Sequence, residues 1–311
     1  MTIYTHIKPD LDAIASVWAW IRFVLGRGIE DMLSSVKFVP ANWNGAEIGP
    51  GDVALDIEAG GKGLKGHKRT MIDGSVRVMS AFASVIEKVA DPGLSKALFP
   101  LTEFVEEQDS TGDGIFGIIS EQGWLRDDGT PVGRKDVPAS LWLCNLASLR
   151  TIYERIYGED IKVFVEMAKI LDAIYEAALE REGAQAEAIK ARWYQQVALI
   201  ENAKSKMTNG LLFEAGAKVV VFIDGFNLGA VRNSEETFNL GTIVRPIIEE
   251  CASDEIQSWF FHAAGFLAAR GTYKAPALTP SRVPAAWLAE AISKAIGRCG
   301  EPLIMPMTPT I

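Results

Sequence analysis

At 311 residues, 48% hydrophobic and 23% charged, the chain has room for one large or two medium domains with real cores and is too apolar to be disordered. Forty acids against 31 bases leave a formal net charge of −9 and a pI near 5.0, which argues against indiscriminate nucleic-acid binding through a broad basic surface. Cys144, Cys251 and Cys299 are odd in number and far apart, so neither a disulfide framework nor a zinc knuckle is indicated.

The apolar pair Ile3-Tyr4 predicts a first β-strand. No charged-then-apolar leader precedes it, and no uncharged run approaches the roughly 18–20 residues of a membrane span, so a cytoplasmic protein without a membrane segment is expected. Ala13 to Leu25 predicts the first helix, and Pro9 disfavours helical geometry at Lys8, holding the connection open. His6, Asp10 and Asp12 therefore share a tight strand-to-helix loop, which in an open α/β sheet lies at the carboxyl end of a strand, where ligands bind. The spacing His-x3-Asp-x-Asp suits a metal site; it also fits an Asp-rich turn that caps the helix through Asp12, with His6 incidental.

Val36 to Pro40 predicts a second strand, and Val53-Ala54-Leu55 a buried parallel strand that delivers Asp56 to the edge of the opening loop. The run Gly60 to Arg69 carries Lys62, Lys65, Lys68, His67 and Arg69 among glycines; it suits a phosphate, or is a flexible solvated turn. Val78, Phe82, Val85 and Val89 predict one helix over Val76 to Val89, stopped by Ala90-Asp91-Pro92-Gly93. Leu98 to Val105 leads into an acidic segment, Glu106 to Gly114, which reads as a solvated helix end or as the carrier of a ligand, Asp109. Gly123 to Pro138 predicts a surface loop.

Ile161 to Leu179 predicts an amphipathic helix with Val163, Met167, Ile170, Ile174 and Ala177 on one stripe, punctuated by Gly183. A second helix through Ile189, Trp193, Val197 and Ile200 is expected to complete a pair joining two lobes, with a boundary near residues 180–190. Lys218 to Ile223 predicts a strand closed by Asp224-Gly225, Ile256 to Phe261 another, and Ala285 to Ile296 the last helix. Arg270, Lys274 and Arg282 follow the turn His262-Ala263-Ala264-Gly265-Phe266, as contacts for an anionic substrate or as ordinary surface charges.

In order, His6, Asp10, Asp12, Asp56, His67 and Asp109 resemble the metal ligands of the DHH phosphoesterase superfamily, which includes RecJ-type exonucleases and manganese-dependent pyrophosphatases. The first motif of those families, His-x-x-Pro-Asp-x-Asp-Ala, is matched by His6 to Ala13, the lone aspartate by Asp56, and the Asp-His-His signature by Gly66-His67-Lys68. The likeness is strongest to the Myg-type branch of metal-dependent hydrolases, whose Glu-Glu-x-Asp-x-x-Asp-Asn-Gly and His-x-x-Gly-Phe motifs are similar to Glu106–Gly114 and His262–Phe266.

The resemblance implies an α/β fold with a parallel-sheet metal-binding domain, residues 1–185 with its connecting helix, and a smaller α/β substrate-binding domain, residues 186–311. It implies a metal-dependent phosphoester hydrolase with two Mn2+ ions, or Mg2+, Fe2+ or Co2+, set about 3.5–4 Å apart to activate water. Asp10, Asp12, Asp56 and His67 would serve catalysis as ligands, completed by His6 and Asp109, while Lys68, Arg69, His262, Gly265 and Arg270 would bind phosphate. The implied partner is a nucleotide, a short RNA or DNA or another phosphate ester, and a homodimer is compatible with it. Two departures stand out. Gly66 lacks the aspartate that would support the metal-ligating imidazole, and Lys68 replaces a second histidine, so a phosphate- or nucleotide-binding homologue with little or no turnover is the alternative. Asp224-Gly225-Phe226-Asn227 separately resembles the strand-end motif of PIN-like nucleases, without an evident following set of acids.

Overall fold

The computed structural model describes residues 1–70, 76–111, 145–272 and 274–297, and the chain divides into two units, Met1–Ala178 and Leu179–Ile311. The predicted surface loop at 123–138, the turn Gly112-Asp113-Gly114, Cys144 and Cys299 lie outside the described residues.

In the first unit, strand β1 (Ile3–His6) lies between β2 (Val36–Val39) and β3 (Val53–Ala54), all parallel, with Ile3 opposite both Val36 and Val53. Helix α1 (Leu11–Ala19) starts at Asp10, whose side chain accepts the Ala13 N–H at 3.0 Å, and runs on as a π-helical turn, Trp20–Val24. All nine residues of α1 are buried, as an almost wholly apolar helix requires. A single-turn α2 (Ile29–Met32) precedes β2. Strands β4 (His67–Thr70) and β5 (Val76–Met79) pair antiparallel, with His67 opposite Met79.

The helix expected over Val76–Val89 is therefore half strand: α3 covers only Ala81–Val89. Ser80 Oγ accepts the Ala83 N–H at 3.1 Å and caps the helix there, while the β-branched alternation Val76-x-Val78 suits a ladder. Left-handed Ala90 ends α3 as anticipated. Helix α4 (Pro92–Thr111) follows, and then α5 (Leu146–Tyr157), ended by Gly158 at φ +66°. Helix α6 (Asp160–Ala188) runs straight through Gly183, which does not break it. The core of this unit joins Ile3, Ile14, Trp18, Leu55, Phe82, Leu98, Phe164, Met167 and Leu171. Trp18 is fully buried and donates its indole N–H to Asp172 at 2.9 Å.

The second unit is built on a six-stranded mixed sheet, and here the predicted helix through Ile189, Trp193, Val197 and Ile200 is overturned. Those residues belong to β6 (Arg192–Tyr194), β7 (Val197–Glu201) and the turn before them. Their helix-like spacing is incidental to a strand buried on both faces: Val197 and Leu199 enter one core, Ala198 and Ile200 another. Helix α7 (Thr208–Glu214) crosses to β8 (Val219–Asp224), which runs parallel to β7. Strand β9 (Asn227–Arg232) returns through a two-residue hairpin with Gly225 at φ +57°, so the Asp-Gly-x-Asn segment is a hairpin turn, not a nuclease strand end.

Helix α8 (Leu240–Ala252), β10 (Phe260–Phe261), β11 (Leu267–Arg270) and α9 (Ala285–Gly297) complete the unit, and the strand order is β10-β11-β9-β8-β7-β6. The strand expected over Ile256–Phe261 holds only at Phe260–Phe261, because residues 256–258 finish a 3₁₀ turn, Ser253–Ser258. Glu255 holds it there by accepting the Arg282 N–H at 2.8 Å and the Ser281 hydroxyl at 2.7 Å. Val219 and Val221 share one core with Leu240, Val244, Ile248, Leu288 and Ile292, while Val220 meets Leu212 on the opposite face.

Candidate metal centre

His6 ends β1 and Asp56 follows β3 after Leu55, so neighbouring parallel strands bring both to one carboxyl edge. Leu55 stays in the ladder through Tyr4, and Asp56 leaves it at φ +54°, with its N–H donated to Leu64 O at 2.8 Å. Asp10 arrives as the α1 N-cap. His6 Nε2 lies 3.2 Å from Asp56 Oδ2 and 3.7 Å from Asp10 Oδ2, and one ligand atom from each residue lies within 4.8 Å of the other two.

The ring orientation follows from its other nitrogen. Nδ1 lies 3.0 Å from Ile7 O, and a carbonyl can only accept, so Nδ1 carries the hydrogen. In its neutral form His6 would therefore present the lone pair of Nε2 towards the two carboxylates, the tautomer in which imidazole binds a cation. With no cation between them, the hydrogen bonds to Asp10 and then Asp56 hold the imidazole up to about 10. Burial pushes Asp10 up, but the His6 hydrogen bond, the Ala13 N–H and the charges of His6 and Arg150 outweigh it and keep that carboxyl low. Asp56 is raised by burial and by the Asp10 charge, against the opposing pull of His6. Two carboxylates and a correctly presented imidazole nitrogen, with no thiolate, form a donor set that fits a divalent cation of the Mn2+ or Mg2+ kind.

Two of the other expected ligands, Asp12 and Asp109, take different places. Asp12, only 2% exposed, spends both oxygens on helix α3, accepting the Ala81 and Phe82 N–H groups at 2.8 Å each. Burial and the Asp56 charge push it up to about 8 while those two N–H groups pull the other way. Asp109, in the last turn of α4, is raised by burial and by the charges of Asp56 and Asp10, so it sits within electrostatic reach of the cluster without joining it. The backbone of His67 to Arg69 lies in β4, but the side chains of His67, Lys68 and Arg69 lie outside what the structure describes. At Gly66 a Cβ would stand 2.3 Å from Met79 O, so the backbone leaves no room for the missing aspartate.

In the second unit, His262 Nδ1 accepts the Ala264 N–H at 3.1 Å, which leaves Nε2–H as an outward donor in the neutral ring. Gly265 closes that turn at φ +71°, where a Cβ would meet Asn239 at 2.6 Å. His262 also lines a concavity of about 300 Å³ with Asn239, Thr242 and Arg245. Arg270, expected to face substrate, is instead buried and committed to the fold. Its guanidinium donates to Thr279 and Ser258 and pairs with Glu255 at 3.6 Å, while Arg282 is engaged by Asp254 and Glu255. Sequence reasoning missed Arg150 and Asp160, which grip the loop carrying Asp10; their distance along the chain hides them.

Fold and site together define an α/β protein with an imidazole–carboxylate cluster at the edge of a parallel sheet. No protein-family model and no curated protein sequence matches the chain. Among solved structures it is similar to RecJ in complex with Mg2+ from Thermus thermophilus, at 12% identity and TM-score 0.31, covering 97% of this chain and 50% of that one. It is also similar to a pGpG-specific phosphodiesterase from Vibrio cholerae (12% identity, TM-score 0.28, 96% of this chain and 99% of that one) and to an exonuclease RecJ bound to manganese (10% identity, TM-score 0.28, 96% and 90%). The chain thus spans about half the length of the Thermus RecJ chain. Among the described residues, no helix is long and apolar enough to cross a membrane.

Proposed function

We propose that the protein is a divalent-metal-dependent phosphoester hydrolase acting on a nucleotide, an oligonucleotide or a similar phosphate ester. The observation that carries the reading is the convergence of His6, Asp10 and Asp56 within 4.8 Å, with the imidazole tautomer set by Ile7 O. These three residues would hold the first ion; His67 and Asp109 are the candidates for a second, while Asp12 stays committed to the α3 N–H groups. A bound ion supplies a water of lowered pKa and polarises a phosphoryl oxygen. His6 would have to release its Nε2 proton to solvent before it could ligate, with Asp10 and Asp56 binding as carboxylates. Asp12 contributes by seating α3 beside the site. In this reading residues 1–185 bind metal and residues 186–311 bind substrate, with the Nε2–H of His262 donating to a phosphate oxygen and Gly265 shaping its turn.

One observation favours the weaker alternative, binding without turnover: the crowding at Gly66, which excludes the aspartate that would orient the next histidine. Metal stoichiometry and hydrolysis of bis-(p-nitrophenyl) phosphate and short oligonucleotides with Mn2+, for the parent and Asp56→Asn, decide between them. Uptake of Mn2+ with turnover lost in Asp56→Asn supports the hydrolase. Uptake without turnover on any of these substrates supports the binder, and a parent that takes up no Mn2+ overturns both.

A further inference from the structure

Three successive residues of the ligand loop are each tied to a group far away in the chain. The Ile7 N–H donates to Val39 O at 2.9 Å, and the Lys8 N–H to Asp160 Oδ2 at 3.0 Å. Pro9 has no N–H to offer, and its carbonyl accepts from Arg150 Nε at 2.8 Å. Arg150 is itself braced one turn away by Glu154 at 2.7 Å, and its side chain is 16% exposed. Lys8 stands at φ +51°, a conformation that residues other than glycine keep only where the surroundings over-determine it. Arg150 comes from α5 and Asp160 opens α6, with the left-handed Gly158 between them. The two grips therefore exist only once both helices have docked on the loop.

We propose that Arg150, seconded by Asp160, is a positioning residue: it holds the strained Lys8-Pro9 backbone so that Asp10 is presented to His6 and Asp56. The inference rests on the metal-centre reading for its purpose, but the grip itself can be read without metal. Neither group touches substrate; each acts through the main chain of the loop. Losing such support around ligating residues typically lowers metal affinity about 10- to 100-fold.

The test uses the full chain with Arg150→Met, which keeps an aliphatic stem, Arg150→Lys, which keeps a donor for Pro9 O, and Asp160→Asn. Amide hydrogen exchange at Lys8 and Ala13 is followed in the metal-free proteins, and Mn2+ affinity by calorimetry. Arg150→Met is expected to speed exchange at both amides while the amides of α3 and α4 keep their protection, and to weaken Mn2+ binding about 10- to 100-fold. Arg150→Lys is expected to recover part of both effects, and Asp160→Asn to speed Lys8 more than Ala13. Parent-like exchange in Arg150→Met overturns the proposal, as does an equal rise at every amide of the unit, which would mark a general loss of stability. A parent that takes up no Mn2+ sinks the hydrolase reading, while the exchange data still decide whether the grip exists.

Discussion

Restoring the absent aspartate of the Asp-His-His signature, Gly66→Asp, should harm the protein. A Cβ at residue 66 would stand 2.3 Å from Met79 O, well inside the 3.4 Å at which ordinary contact begins, so the two backbones must part by about 1 Å. Met79 is the ladder partner of His67, and Ser80 next to it caps α3, so the shift cannot be absorbed in a loop. Overpacking of this kind costs about 1–3 kcal/mol. At about 2–4 °C per kcal/mol for a unit of this size, the melting midpoint falls by roughly 2–12 °C. Scanning calorimetry of the parent, Gly66→Ala and Gly66→Asp checks this, because alanine carries the colliding atom without the carboxylate. Both variants should fall. An unchanged midpoint in Gly66→Asp, or a gain in its Mn2+ affinity, refutes the steric account and means the position is merely vacant.

Three further expectations concern the cluster and its seat. His6, held up to about 10 in the metal-free chain against an ordinary 6.5, contributes stability that is whole below about 6.5 and lost as the pH rises through about 10. His6→Gln should make that alkaline decline in melting temperature shallower, and equal slopes in the two proteins would count against the pairing. For the same reason Mn2+ uptake near pH 8 should release about one proton, read by calorimetry in buffers of different ionisation enthalpy. Asp12→Ala strands two buried N–H groups at the start of α3, at about 1–3 kcal/mol each, and should lower the urea midpoint clearly more than Asp12→Asn, which keeps one acceptor. Parity between these two variants would mean that α3 does not depend on that carboxylate.

The parts of the fold that could be read from the amino acids are those where local chemistry and tertiary environment agree. Pro9 and the apolar run after Asp12, interrupted only at Ser16, mark a strand-to-helix turn, and the β-branched run Val219–Val221 is a strand by propensity and by burial. Reading failed where a three-to-four-residue spacing arose by chance. Val78, Phe82, Val85 and Val89 straddle a capping serine, and Ile189, Trp193, Val197 and Ile200 straddle two strands, one of them apolar on both faces. His6, Asp10 and Asp56 were accessible because each sits at the end of a short local pattern. Arg150 and Asp160 were not, since their partners are 141 and 152 residues away and a lone arginine or a helix-opening aspartate has no local mark. Arg270 misled for the opposite reason: a cation near a glycine turn looks available until Glu255 and Thr279 are found around it.

The margins of the six-stranded sheet bear on how the protein survives at high concentration. One outermost strand, Arg192–Tyr194, offers three residues and the other, Phe260–Phe261, only two, whereas the long ladders of Val219–Asp224 and Asn227–Arg232 are sealed inside. Arg192 pairs with Glu201 across one of these borders, and Arg245 lies over the Phe261 ring at the other, 4.4 Å from its centroid. Among the described residues, a stray extended peptide would find at most three residues of open ladder on this sheet, which works against fibrous self-association even while the valine-rich strands within it would, if bared, promote it.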